Sequence, residues 1–381
     1  MIIKITFILT ILLSSHIYGQ EIDTLTFYSK AFNESRTVFI HKPEFYKYKS
    51  DLVKLPVIYL LDGQNQWFTK PIVSDIQYLR FTKEIPSAII VVIPAIHRNK
   101  EYGIIDLKTE LPLDRFITKE LDAELKKYNP SDFKVIIGHS FSASFSLYSY
   151  YSHPDYYAAV IANSPFDELE MLITGFNESK IIDKSKISIA IGGISEAKDM
   201  YHRKKYDALK IKYHSFFNSI NSFEADFSAH NSVPIVATPT LLTKVFRNYR
   251  GRYFEIPKVD MEDRLISKPG SISEELDKIE IASKIGTYNY PPEISDINGI
   301  ASRYWNNELE EYAIKIYELG VKYYPKYYEF YLSLYELELN MDNKKSNLYK
   351  AESLLKTIEN NLIEKNTILK EIESEKLKNG W

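Results

Sequence analysis

No cysteine occurs anywhere in these 381 residues. Its absence excludes disulfides, thiolate metal sites and a lipid-modified amino-terminal cysteine. Beyond the first twenty residues no stretch approaches the ~18 consecutive apolar residues of a membrane-spanning helix. An excess of either charge is lacking too. The 48 Lys and Arg against 51 Asp and Glu leave a formal net charge of -3, which argues against nucleic-acid binding and against a polybasic membrane contact. What remains is a chain with 45% hydrophobic residues, long enough for one large or two medium domains with a packed core. Tyrosine is the over-used residue, at 30. It suits amphipathic packing and a carbohydrate or partner surface, although the many Lys and Ile make compositional bias an equally simple source.

Residues 1–20 read as a signal peptide. Lys4 supplies the positive start, Ile5 to Leu13 a short apolar run, and Tyr18-Gly19-Gln20 a cleavage site. A periplasmic or secreted protein is expected, with no integral membrane segment after cleavage.

Buried strands and helices alternate through the first two-thirds. Arg36 to His41 alternates β-branched and aromatic residues. Pro56 to Leu61 and Ala88 to Ile93 are continuous apolar runs, which mark strands covered on both faces. Val73 to Phe81 and Asp114 to Tyr128 fit helices, the second carrying Phe116, Ile117, Leu121 and Leu125 on one stripe with Pro130 beyond its end. Further strands are expected at Phe133 to Ile137, Ala158 to Ala162 and Ile187 to Ile191, and a helix at 142–151. The pattern predicts an α/β domain over residues 21–250, with a mostly parallel sheet whose functional residues gather at the carboxyl ends of the strands.

Residues 251–290 mix Pro, Gly and charge and read as a linker with one helix near 272–285. From 291 to 381 the pattern is wholly helical. Helices at Tyr312 to Tyr324, Tyr327 to Leu339 and Tyr349 to Ile358 suggest a helical-hairpin unit repeated after about 38 residues, near the 34 of a tetratricopeptide array. A plain helical bundle fits as well. The last residues, rich in Lys and Glu, read as a solvated helix.

The densest chemical signal is Gly138-His139-Ser140-Phe141-Ser142 after the apolar run Phe133 to Ile137. A strand ending in small residues and giving way to a helix is the pattern of a nucleophile elbow, which holds a serine hydroxyl at the tip of a tight bend. Serine needs a base to become nucleophilic. In hydrolases built on this elbow the acid and then the histidine follow the serine in chain order. His153 ends the elbow helix, and His202 and His214 fall in a charged helical pattern. His230, in the polar loop Ala229-His230-Asn231-Ser232-Val233-Pro234, has the position and context of the base. For the acid, Glu196 follows the Ile187 to Ile191 strand and is preferred, with Asp199 and Asp226 as alternatives. The oxyanion hole is expected from the backbone N–H of Phe141 and from Gly63 or Gln64, in the turn after the Pro56 to Leu61 strand.

These segments together resemble a known family. Val57 to Gly63 with Trp67-Phe68, Ile89 to Ile93 with Arg98, Gly138-His139-Ser140-Phe141, and His230 with Ser232-Val233-Pro234 are similar to the Putative esterase family of α/β hydrolases. That family includes siderophore, S-formylglutathione, feruloyl and acetylxylan esterases and mycolyltransferases. The resemblance covers about residues 25–250. It implies an α/β-hydrolase fold and an acyl-serine mechanism without metal or cofactor, with Ser140 as nucleophile, His230 as base and Glu196 as acid. It implies a small-molecule ester substrate, carbohydrate-linked or of the siderophore type. Acyl transfer on the same fold is the alternative, and the helical tail is a candidate surface for a protein partner. Two positions depart from the family. Ser142 stands where glycine is usual, which bears on turn geometry. Ile93-Pro94-Ala95-Ile96-His97 stands where G-I-x-N is usual, which bears on the substrate pocket.

Overall fold

A computed structural model of the chain describes residues 21–165, 168–193, 199–286, 288–358 and 362–381. The expected signal segment and Glu196 lie outside these residues. The strands are β1 (Ile22–Ser29), β2 (Glu34–His41), β3 (Leu55–Leu60), β4 (Ile89–Val92), β5 (Pro130–His139), β6 (Ala159–Asn163), β7 (Ile187–Gly192) and β8 (Asn221–Ala225). They form an eight-stranded sheet in the order β1-β2-β4-β3-β5-β6-β7-β8. β4, β3, β5, β6, β7 and β8 run parallel, and the β1–β2 hairpin joins antiparallel through β2 and β4.

The continuous apolar runs become strands buried on both faces because helices cover both. Ile58, Leu60, Val135 and Ile137 face the helices Gln66–Phe81 and Val233–Val245, in a cluster with Phe68, Ile72, Ala237 and Leu241. Val57, Tyr59, Val91 and Ile136 face the other way, toward Phe141–Ser152 and Leu169–Glu178, with Phe145, Leu147, Leu172 and Phe176. Each such aliphatic side chain, fully buried, contributes about 1.5–3 kcal/mol.

The helix expected over 114–128 is present as consecutive turns with one widened, π-type turn at Phe116–Leu121, and it stops at Asn129, which takes a left-handed conformation before Pro130. The helix expected at 73–81 begins earlier, at Gln66, and runs through Pro71.

The stretch expected as a linker is firmly packed. Its helix, Ile272–Ser283, opens with a capping box between Ser271 and Glu274. Tyr253 and Ile256 are buried, and the Arg303 guanidinium donates to the Tyr253 carbonyl at 2.7 Å. The tail helices Ile294–Trp305, Glu310–Tyr323, Tyr328–Leu337, Met341–Lys356 and Leu362–Asn379 pack each against the next. The first three share one apolar core with the sheet. The final helix is docked rather than solvated: Ile372 is buried and Lys376 Nζ lies 2.6 Å from Glu352.

The tail meets the sheet at the amino ends of the strands. The Ser50 amide, ahead of β3, donates to the Tyr323 carbonyl at 2.7 Å, and Ser87, ahead of β4, donates to Glu293 at 2.9 Å. Phe45 and Tyr48 meet the rings of Tyr324 and Tyr327. The opposite, carboxyl end is left to the turns that follow β3, β5, β6, β7 and β8.

Candidate active site

Ser140 sits directly after β5 with φ 60° and ψ -120°, a backbone conformation that few side chains adopt. The bend is held from both sides. The Ser140 amide donates to the Asn163 carbonyl at 2.9 Å, and its own carbonyl accepts from Ala143 and Ser144 as the helix Phe141–Ser152 begins. A Cβ on Gly138 would come within 2.1 Å of the Ser142 carbonyl oxygen, so that position admits only glycine. Phe141 is the first residue of the helix, where backbone N–H groups point outward along the helix axis.

Ser142 has a specific task in place of glycine. Its hydroxyl donates to Asp62 Oδ2 at 2.7 Å and accepts from the His139 amide at 2.8 Å. Asp62 is buried, with φ 59°, just past β3. Arg98 grips it through Nε at 2.7 Å and Nη2 at 2.9 Å, and Arg98 Nη2 also donates to the His139 carbonyl at 3.1 Å. Gln64 closes the network, donating Nε2 to Asp62 Oδ1 at 2.8 Å and accepting the Ala95 amide at 2.7 Å. The turn after β3, the loop after β4 and the elbow are thus pinned to one buried carboxylate.

That network decides between the two backbone donors expected from the turn. The Gly63 amide donates to the Ile93 carbonyl at 2.9 Å and is consumed in holding the strands together. Gln64 N–H has no acceptor among the described residues, which leaves it as the candidate oxyanion donor beside Phe141. Tyr102 is buried beneath the turn and accepts the Asp62 amide at 3.0 Å. Trp67 is about half exposed (49%) and meets the His139 ring edge-on at 6.0 Å.

His230 arrives in the loop after β8. Its Nδ1 lies 2.9 Å from Asp199 Oδ1. Glu196, the residue preferred as the acid, lies outside the described residues; of the two alternatives, Asp199 is the one bound to His230. Asp226 is turned away and pairs with Arg203 at 2.7 Å. Asp199 fits where it does because of Gly192 and Gly193: a Cβ on Gly192 would meet Asp199 Cβ at 2.6 Å, and one on Gly193 would strike the Asp226 carbonyl at 1.9 Å. Burial pushes the Asp199 carboxyl up, but hydrogen bonds from His202, His230, Ser164 and the Gly192 amide outweigh it and hold the group well below the usual carboxylate range.

Two histidines not expected at the site flank His230. His139 Nε2 lies 3.0 Å from the His230 carbonyl. Burial, with the neighbouring His230, pulls His139 down to about 3, so it is neutral and donates Nε2–H to that carbonyl. His202 places Nδ1 3.0 Å from the same Asp199 Oδ1 that binds His230, and the two rings stack 4.2 Å apart at 15°. His153, as expected, is remote: it closes the elbow helix and pairs with Asp114 at 2.8 Å.

Asp199, His202 and His230 bring their ligating atoms within 4.8 Å of one another, a donor set of the type zinc accepts. An imidazole binds a metal in the plane of its ring. Between two nearly parallel stacked rings no point lies in both planes, so the three do not fit one ion as they stand.

Residues 29–227, just over half of the chain, match the family described as Putative esterase. The chain belongs to that family. Its mostly parallel sheet covered by helices is the α/β-hydrolase fold. The family match includes Ser140 and Asp199 and stops three residues short of His230. Among curated proteins, the uncharacterized protein YjcH of Bacillus subtilis is 29% identical over 153 residues, which are 38% of this chain. The chain spans 62% of that relative's length. In fold, the esterase chain is similar to an IroE-like serine hydrolase from Shewanella oneidensis, with TM-score 0.58 and 18% identity, over 79% of this chain and 99% of the other. An uncharacterised protein from Capnocytophaga ochracea is similar over 93% of this chain and all of its own length, with TM-score 0.53 and 16% identity.

Proposed function

We propose that this esterase-family chain is an exported serine esterase in which Ser140, His230 and Asp199 form the catalytic triad. The observation that carries the reading is Ser140 in a strained elbow at the carboxyl end of the sheet, with a histidine later in the chain whose Nδ1 is bound to a buried carboxylate. Asp199 fixes the proton of His230 on Nδ1, which leaves Nε2 free to take the Ser140 proton. Ser140 Oγ then attacks the ester carbonyl carbon. The Phe141 and Gln64 N–H groups stabilise the oxyanion, and His230 returns the proton to the departing alcohol. A water molecule, activated by His230, releases the acid from the acyl-serine. Fixed donors of this kind are each worth on the order of 3 kcal/mol in the transition state. Residues 1–20 support export, and the half-exposed Trp67 beside the elbow supports a small-molecule ester with a flat or apolar group. Carbohydrate-linked and siderophore esters are the first substrates to screen.

The test is labelling with a fluorophosphonate, together with hydrolysis of p-nitrophenyl acetate by wild type and Ser140→Ala. The adduct is expected on Ser140, and the variant is expected to lose about 10⁴-fold or more in kcat. Equal rates, or an adduct on another residue, would move the catalyst elsewhere.

A further inference from the structure

Resting on the assignment of Ser140, His230 and Asp199, we propose that His202 is a positioning residue of the same site, acting on His230 both through their shared carboxylate and through their stacked rings. A carboxylate oxygen offers two lone pairs. Asp199 Oδ1 is bound by His230 Nδ1 at 2.9 Å and by His202 Nδ1 at 3.0 Å. Asp199 Oδ2 is bound by Ser164 Oγ at 2.7 Å and by the Gly192 amide at 3.0 Å. All four positions are filled, and the carboxylate, whose side chain is fully buried, is held against rotation. The arrangement requires both imidazoles to carry a proton on Nδ1, which is the tautomer a base at His230 needs.

The stack adds a second constraint. The His230 ring stacks on His202 at 4.2 Å and 15° and also meets the tilted ring of His139 at 4.6 Å and 43°. Its ring plane is therefore set by two neighbouring rings as well as by Asp199. His202 cannot itself be the base, because its Nε2 is buried. Its own surroundings keep it in place: the Tyr201 ring lies edge-on at 5.4 Å, and the next residue, Arg203, ties its helix to the Gly192 carbonyl, Glu224 and Asp226.

Three variants separate the two contributions. His202→Asn keeps an N–H donor and loses the ring, His202→Phe keeps a flat ring and loses the donor, and His202→Ala loses both. The readouts are kcat and KM across pH, the fluorophosphonate labelling rate at Ser140, and thermal melting to show that each variant is folded. For His202→Ala, kcat is expected to fall about 10- to 100-fold, the range for removing a group that orients another group's ligand or base, with KM changing less than about twofold. His202→Asn and His202→Phe should each recover part of the loss. In the Phe and Ala variants the acid limb of kcat/KM should move to higher pH, because Asp199 then serves His230 alone. Wild-type kcat in the Ala variant overturns the proposal. So does an equal loss in all three variants with an unmoved acid limb, since that is the behaviour of a residue needed only for folding. Wild-type protein that takes no label at Ser140 overturns the triad reading beneath it, and is told apart from failure of the His202 proposal by that label alone.

Discussion

At the carboxyl ends of the neighbouring strands β3, β5 and β6, Asp62, Ser140 and Ser164 have φ of 59°, 60° and 47°. At the amino ends of the same sheet Asn129 is also left-handed, but only half-buried, and the joints with the tail are filled by tyrosines, among them Tyr249, Tyr253, Tyr290 and Tyr324. The first end is strained and polar. Each non-glycine residue held in a left-handed conformation costs on the order of 1–3 kcal/mol, sustained only where surrounding bonds over-determine it. Those bonds are the Asp62–Arg98–Ser142–Gln64 network and the four hydrogen bonds on Asp199. The second end is aromatic and well packed, and offsets the strain. Chemistry and stability are thereby assigned to opposite ends of one sheet, and they should respond separately to mutation.

The strongest test of that separation is Tyr324→Ala. Tyr324 is fully buried, packs against Phe45 and Phe330, and donates to the Pro292 carbonyl at 3.1 Å. Its loss should cost about 3–5 kcal/mol in urea unfolding while leaving kcat per folded molecule unchanged. A kcat that falls in step with stability would break the comparison. Next comes Asp62→Asn, which tolerates the positive φ but surrenders the charge that Arg98 grips. kcat/KM on p-nitrophenyl acetate should fall about 100-fold, equivalent to about 2.7 kcal/mol, with a smaller effect on stability. A variant less stable yet fully active would show that the network supports the fold and not the oxyanion donors.

The smallest effect is expected from His153→Gln. The hydrogen bond that His153 donates to the Asp114 carboxylate raises His153 above its ordinary value despite partial burial. A raised folded-state value means that this contribution is fully present below about pH 6.5 and is lost as pH climbs through the folded value. Unfolding at about pH 5.5 and pH 8.5 should show the wild-type advantage over the variant at the lower pH only, with the pH profile of kcat unmoved. An equal advantage at both would assign the pair no linkage to protonation.

Much of the sheet was legible because strands covered on both faces must be apolar throughout, as in Val57 to Leu61 and Ile89 to Ile93. β1 and β8 were not, because edge strands bury little: of β1 only Leu25 and Ser29 are buried, and of β8 only Ala225. Ser140 and His230 were legible from the bend and the loop. The choice between Asp199 and Asp226 was not, since two carboxylates in neighbouring loops differ only in which one turns toward His230. A signal did exist. Gly192-Gly193 marks where side chains are forbidden, and Asp199 is packed against the first of them. His139 and His202 escaped because their work is done through a backbone carbonyl and a shared oxygen, neither of which leaves a spacing rule in the sequence. The packing of residues 251–290 was equally hidden, because their turn-rich composition conceals the buried Tyr253 and Ile256.

The shared core between sheet and tail also sets how this chain can be divided. A cut at residue 250, where the composition changes, would strip Tyr324 and Tyr327 from Phe45 and Tyr48 and bare the apolar underside of β3 and β4 to water. The smallest soluble piece should extend through the helix Tyr328–Leu337, beyond which Leu348, Leu355 and Ile372 add a small cluster that reaches the sheet's core through Tyr328 and its helix. Protease nicks are then expected to accumulate after that helix first, and to leave turnover intact.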